Sequence, residues 1–234
     1  MGISKFLADS IQNYHHQGSI GSKLRAKRIA PMLKLIEQVY REKGQVNIID
    51  IGGTAHYWGI IPENILRSHK VSVTVLNLPT CKSSEDYGVF KHIAGDACDM
   101  HTIADNSFDI AHSNSVIEHV GDWGRMNEFA REIERVATHY FVQTPNYWFP
   151  VEPHYMMPFF HWLPKPTRVW LVMQRPLGHL PQAKSVDEAV RNVEGGRLLN
   201  HKMFKALFPE AEIITEWFLG LPKSFIALKS KRHN

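Results

Sequence analysis

The sequence predicts an α/β protein, a three-layer sandwich whose helices cover both faces of a seven-stranded, mostly parallel sheet with an antiparallel C-terminal edge. Three observations predict it. Short β-branched runs alternate with segments of helical period, each run closes on small or polar residues, and the last two runs are joined by a tight link. Parallel neighbours need a long crossover, which the helical segments supply, whereas a tight link suits an antiparallel pair.

In chain order, Ser22 to Lys43 carries Leu24, Ile29, Met32, Leu33, Ile36, Val39 and Tyr40 at helical spacing, with Gly44 as a stop. Val46 to Ile51 is a buried strand opening into the turn Gly52-Gly53-Thr54. Ile60 to His69 reads as a second helix and Val71 to Asn77 as a second strand, completing a strand-helix-strand unit. Val89 to Ala94, closed by Gly95-Asp96-Ala97, and Phe108 to Ser113 are the third and fourth strands. Trp123 to Val136 is amphipathic through Met126, Phe129, Ile133 and Val136, and His139 to Gln143 is a fifth strand stopped by Thr144-Pro145-Asn146. Leu198 to Phe208 is a helix; Glu212 to Leu219 and Lys223 to Leu228 are strands joined by Gly220-Leu221-Pro222.

Between the fifth strand and the closing helix the texture changes. Pro150, Pro153, Pro158, Pro164, Pro166 and Pro176 interrupt Tyr147 to Leu180, and Lys165 and Arg168 divide it, so no spanning helix is expected there. Residues 147–197 are expected to form an inserted lid or substrate wall and residues 1–44 an N-terminal helical cap, on one domain of 1–234. Tyr147, Trp148, Phe149, Met156, Met157, Phe159, Phe160 and Trp162 are either lid core or the lining of an apolar or sugar-stacking pocket. Peripheral membrane contact is the lesser reading, since no basic amphipathic helix accompanies them.

Composition sets outer bounds. Apolar residues make up 44% and charged residues 21%, which excludes a disordered or fibrous chain. Cys81 and Cys98 lack the C-x-x-C spacing and are expected to be reduced thiols of a cytoplasmic protein; Met1 to Ser10 holds no secretory apolar run. The net charge of +4 comes from Lys23, Arg25, Lys27 and Arg28 and from Lys229, Lys231 and Arg232, without interleaved aromatics, so no nucleic-acid partner is expected. None of the 14 histidines forms His-x-x-x-His on a helix, and His15-His16 reads as solvated surface, so no metal is expected. The oligomeric state stays open.

Ligands of open α/β sheets bind beyond the carboxyl ends of the strands. Gly52 and Gly53 leave the first turn without side chains, so backbone can approach a ligand closely. Asp50-x-Gly-Gly, Asn77, Asp96-Ala97 and Ser113-Asn114 each close a successive strand. Together they resemble the class I S-adenosylmethionine-dependent methyltransferases, which have a Rossmann-like fold. The echoes are Ile48 to Thr54 for the first motif, Gly95-Asp96-Ala97 for the third, and Phe108-Asp109-Ile110 through Ser115-Val116-Ile117-Glu118-His119-Val120 for the fourth, the last similar to a subgroup with a Glu-His pair after strand four. The resemblance covers residues 45 to 145.

That resemblance implies S-adenosyl-L-methionine as cofactor, with Asp50, Gly52 and Gly53 at its methionine part, Asn77 at the ribose, and Asp96 and Ala97 at the adenine. Thr54, Leu78, Ser113, Asn114 and Glu118 complete the expected cofactor-binding set. The chain departs from the family at the turn, which reads Gly-Gly-Thr, and at Asn77, a neutral amide in place of an acidic residue. The amide gives up a charge-assisted bond, so weaker ribose binding is expected. A nicotinamide-binding domain fits worse, because Ala55 and His56 stand where G-x-G-x-x-G should continue and no acidic residue ends strand two.

His119, beside Glu118, and His154, two residues after Glu152, are the expected catalytic residues. A helix-capping Glu118-His119 pair and a structural His154 are their bland alternatives. Thr144-Pro145-Asn146 followed by Pro, Glu and His is similar to one branch of these methyltransferases, some of which act on sugars or on lipid-linked and natural-product hydroxyls. The expected activity is O-methylation of a small-molecule, sugar or lipid-linked acceptor. N- or C-methylation, or an inactive cofactor-binding scaffold, are the alternatives. Tyr14-His15-His16-Gln17 is a further candidate to cover the cofactor.

Overall fold

Runs of β-branched and aliphatic residues pair into one sheet in the computed structural model, which describes residues 20–81, 86–178 and 180–230. The strands are β1 (Val46–Ile51), β2 (Val71–Asn77), β3 (Phe90–Ala94), β4 (Phe108–Asn114), β5 (Ala137–Pro145), β6 (Glu212–Phe218) and β7 (Leu221–Lys229). Their order is β3-β2-β1-β4-β5-β7-β6. The first five pair in parallel, and β7 runs antiparallel to both of its neighbours. The expected seven-stranded sheet with an antiparallel edge is therefore present.

The described residues form six α-helices: α1 (Ile20–Lys43), α2 (Glu63–Ser68), α3 (Trp123–Val136) and α6 (His201–Leu207) beside the sheet, and α4 (Lys165–Gln174) and α5 (Val186–Glu194) between β5 and α6. Successive strand residues point to opposite faces. In β1, Val46 and Ile48 pack with Met32, Leu35, Ile36 and Val39 of α1, whereas Ile49 and Ile51 join the cluster containing Phe129 and Ile133 of α3 and Phe204 of α6. Burial on both faces is why β1 reads as a nearly unbroken apolar run. The described part of the expected N-terminal cap is thus a helix packed on one face of the sheet. Tyr14 to Gln17 lie outside the described residues.

Local chemistry moved several boundaries. The helix expected over Ile60 to His69 is a 3-10 turn, Tyr57–Ile60, followed by α2, because Pro62 holds Ile61 extended at φ −96° and ψ 126°. The helix expected from Leu198 starts at His201, where Asn200 caps it by accepting from the Met203 N–H. The last two strands meet in the two-residue turn Leu219-Gly220, with φ of 49° and 78°, so Leu221 and Pro222 belong to β7 rather than to the link. Positive φ at both positions matches the right-handed twist of the hairpin.

Glu132 of α3 fastens the segment after β3. It accepts from the Met100 N–H at 2.6 Å and from Arg135, which also donates to the carbonyls of Met100 and Ile103. The Arg135 hydrogen bond holds the Glu132 carboxyl below its usual range, against the opposing effect of burial. Glu132→Gln is expected to cost about 1–2 kcal/mol in urea unfolding at neutral pH. A depressed folded pKa stabilises above the unfolded carboxylate range, so the gap between wild type and variant should close as pH falls through the Glu132 titration.

The insert between β5 and α6 leaves and returns at one point. Asn146 and Leu199 form an isolated bridge, and the Tyr147 N–H donates to the Leu199 carbonyl at 2.9 Å. Inside it are the ribbon Val151–Glu152 with Met157–Pro158, helices α4 and α5, and a separate apolar cluster that includes Tyr155, Phe160, Val172 and Val193. The aromatic stretch divides accordingly: Tyr155 and Phe160 are buried, and Trp148, Phe159 and Trp162 are exposed. No described helix is long and apolar enough to cross a membrane.

Candidate active site

The strand order turns back at β1, which lies between β2 and β4, and the carboxyl ends at such a point are where an open α/β sheet binds its ligand. Gly52 adopts φ 70° there, and its N–H donates to the Leu76 carbonyl at 2.8 Å. Asp50 is fully buried beneath the turn: Oδ2 accepts from Trp58 Nε1 at 2.8 Å, and Oδ1 lies 2.6 Å from His112 Nδ1. A Cβ at Gly53 would fall 1.8 Å from Asp50 Oδ2, so only glycine lets the turn close over this carboxylate. The aspartate holds the turn from inside the sheet, and the solvent side of the turn is bare backbone, with Gly52 and Thr54 exposed.

Asn77 belongs to the same turn, because its Nδ2 donates to the Gly53 carbonyl at 3.0 Å and Leu78 follows it, half exposed. Asp96, at the tip of β3, accepts from the Cys98 N–H at 2.9 Å and from Arg125 at 2.5 Å. Burial opposes ionisation of Asp96 but is outweighed by those two donors, which hold its carboxyl below the usual range. Ala97 is half-buried against the α3 side of the core. Ser113 is fully buried and donates to the Ile51 carbonyl, tying β4 to β1. Asn114 accepts from Arg28, which also pairs with Glu216. The turn presents bare backbone with Asn77 tied to it, and Ser113 supports it from below. Trp58 and His112, which fix Asp50, were not singled out in the sequence; a buried tryptophan eight residues past the aspartate carries no signature of its own.

The histidines come together across the crevice. Ser115, at φ 56°, leads into the short 3-10 turn Ile117–His119, and Val116 packs against the glycine turn, 2.6 Å from where a Gly52 Cβ would lie. His119 Nδ1 donates to the Gly195 carbonyl. His154 Nδ1 lies 2.6 Å from Glu152 Oε1, whose other oxygen accepts from the Tyr155 N–H. The two Nε2 atoms face each other at 2.9 Å. Burial depresses His154, yet the Glu152 hydrogen bond and charge outweigh it and raise His154 above the ordinary imidazole range, while burial lowers His119. Glu118, fully buried, accepts from Thr144 Oγ1 through Oε2; its Oε1 has no hydrogen-bond partner among the described residues, and burial pushes its carboxyl up to about 7.

The pair lines a lid cavity of about 720 Å³ together with Glu152, Tyr155, His161 and Arg168. Three buried polar atoms on this cavity have no hydrogen-bond partner among the described residues: Tyr155 Oη, His161 Nδ1 and Arg168 Nε. His161 Nε2 donates to the Tyr147 carbonyl, so in the neutral ring its Nδ1 is an acceptor. A larger groove, about 840 Å³, runs between α1 and the β6–β7 edge and holds none of these groups.

Residues 52–139 match the family described as methyltransferase domain. The match runs from the glycine turn into β5, and S-adenosylmethionine is the cofactor that this likeness to a methyltransferase domain implies. The chain is similar to an O-methyltransferase family protein from Burkholderia thailandensis, at 12% identity and a TM-score of 0.48, covering 91% of this chain and 59% of that one. It is also similar to a SAM-dependent methyltransferase from Methanosarcina mazei (14% identity, 79% of this chain and 91% of that one, TM-score 0.45). A third is a SAM-dependent methyltransferase from Aquifex aeolicus (11% identity, 88% and 96%, TM-score 0.42). No curated protein matches the chain.

Proposed function

We propose that the protein methylates a hydroxyl of a small polyhydroxylated acceptor, a sugar or glycan, held in the lid cavity beside His119 and His154. One observation carries this reading: the residues bearing three buried polar atoms with no hydrogen-bond partner among the described residues line the same cavity as the histidine pair. Each unpaired buried polar atom costs about 1–3 kcal/mol, and an acceptor rich in hydroxyls supplies a donor to His161 and acceptors to Arg168 and Tyr155. Bound S-adenosylmethionine supplies an electrophilic methyl on a sulfonium. Transfer breaks the carbon–sulfur bond and forms a carbon–oxygen bond as the hydroxyl gives its proton to a ring nitrogen. We assign that nitrogen to His119 Nε2, with the Gly195 carbonyl orienting its ring and His154, held by Glu152, positioned against it. The lid walls position the hydroxyl, and positioning alone supplies a large share of the rate.

The test is transfer of labelled methyl from S-adenosylmethionine to a panel of free and nucleotide-linked sugars. Arg168→Gln should raise the acceptor KM roughly tenfold or more while leaving cofactor affinity unchanged. Cofactor binding without transfer to any member of the panel would instead favour a scaffold that retains the fold.

A further inference from the structure

We propose that Glu118, His119 and His154 form a binding site for one divalent transition-metal ion, with two imidazole nitrogens and one carboxylate oxygen as ligands. One ligand atom from each residue lies within 4.8 Å of the other two. The proposal deepens the reading of this site as the place where the acceptor hydroxyl is activated, and it rests on that reading only for its purpose, since binding itself is measured without acceptor or cofactor.

Orientation is the first argument. Each Nδ1 is engaged by an acceptor, the Gly195 carbonyl for His119 and the Glu152 carboxylate for His154, so both Nε2 atoms turn toward one point. A hydrogen-bonded far nitrogen is what fixes the tautomer and aim of a metal-ligating histidine. Glu152 is itself fixed by the Tyr155 N–H, so the support extends one shell further. Two imidazole nitrogens bound to one ion at about 2.0–2.1 Å lie roughly 2.9 Å apart at a right angle and roughly 3.3 Å apart at a tetrahedral one. The two Nε2 atoms stand 2.9 Å apart, at the right-angle spacing.

The third ligand is what separates a metal from a shared proton. A proton between the two rings has no use for Glu118, yet one of its carboxylate oxygens lies within 4.8 Å of a nitrogen of each ring, and Oε1 is buried with no hydrogen-bond partner among the described residues. Oε2 is held by Thr144 Oγ1, which steadies the carboxylate and leaves Oε1 to coordinate. Gly196 presses the lid backbone onto the pair: a Cβ there would stand 3.3 Å from His154 Cε1 and 3.5 Å from His119 Cε1. Two imidazoles and one carboxylate suit zinc, manganese, iron(II), cobalt or nickel rather than calcium or magnesium, which prefer oxygen ligands throughout. With the ion bound both Nε2 atoms are ligands, so the acceptor's oxygen would take an open position and lose its proton to water rather than to a ring.

Full-length protein stripped with chelator and titrated with cobalt(II), followed by visible absorption and by calorimetry, tests the site. Wild type should bind one equivalent with nitrogen-ligand bands, and zinc should displace it. His154→Ala and Glu118→Gln should each abolish that equivalent, and Glu152→Gln should weaken it about 10–100-fold. Thermal melting checks that the variants fold, and S-adenosylmethionine binding to His154→Ala is measured alongside. Wild type that takes up no stoichiometric cobalt, or uptake that survives loss of His154, overturns the metal site. Uptake without any cofactor binding would sink the methyltransferase reading and leave the metal site standing.

Discussion

Gly53→Ala is expected to lower affinity for S-adenosylmethionine by more than tenfold and to destabilise the chain by about 2–4 kcal/mol. The new Cβ would sit 1.8 Å from Asp50 Oδ2 and 2.2 Å from its Cγ. Asp50 has nowhere to go, because it is fully buried and held on one oxygen by Trp58 and on the other by His112. Relief must come from the turn, whose carbonyl at Gly53 also anchors Asn77. One substitution therefore disturbs the glycine turn and the Asn77 side chain tied to it together. Gly59→Ala is the control, since a Cβ there meets nothing within 4 Å. Calorimetry with the cofactor and its demethylated product, alongside urea unfolding, reads both quantities. Equal affinities for the Gly53 and Gly59 variants would refute this account of the turn.

His119→Ala should reduce the turnover number by roughly 10²–10⁴-fold, the range that loss of an acid–base group at the reacting atoms commonly produces. Cofactor affinity should stay within about twofold of wild type, because the substitution leaves Val116 on the glycine turn and Asp50 beneath it. Single-turnover measurements at saturating cofactor separate the chemical step from binding. A fall below tenfold would show that the lid and cofactor do the work by positioning alone and that His119 is a structural partner of His154 and Gly195.

The layered sheet was legible because it rests on local patterns. Val46 to Ile51, Val71 to Asn77 and Trp123 to Val136 are segments whose periodicity reports directly which faces are buried, and all three have the expected bounds. Boundaries moved where one residue's chemistry overrode periodicity, as at Pro62, Asn200 and the Leu219-Gly220 turn. The glycine turn and the Glu-His pair were visible as motifs. Which way Asp50 faces was not, since its partners, Trp58 and His112, are set by packing between β1, β4 and the 3-10 turn rather than by spacing.

By pattern alone, the chain determined a parallel sheet with an antiparallel edge, a bare turn after the first strand, and a proline-broken insert. Periodicity and turn chemistry act over a few residues, so they survive in a linear reading. Only the tertiary structure decided that His154, 35 residues beyond His119, meets it ring to ring, that Glu118 comes to lie beside them with Oε1 unpaired among the described residues, and that Arg168, Tyr155 and His161 line the same cavity. Those meetings depend on where the insert leaves and rejoins the sheet, at Asn146 and Leu199, and on how its own core folds back over the strand ends. Long-range packing of that kind leaves no trace in residue spacing.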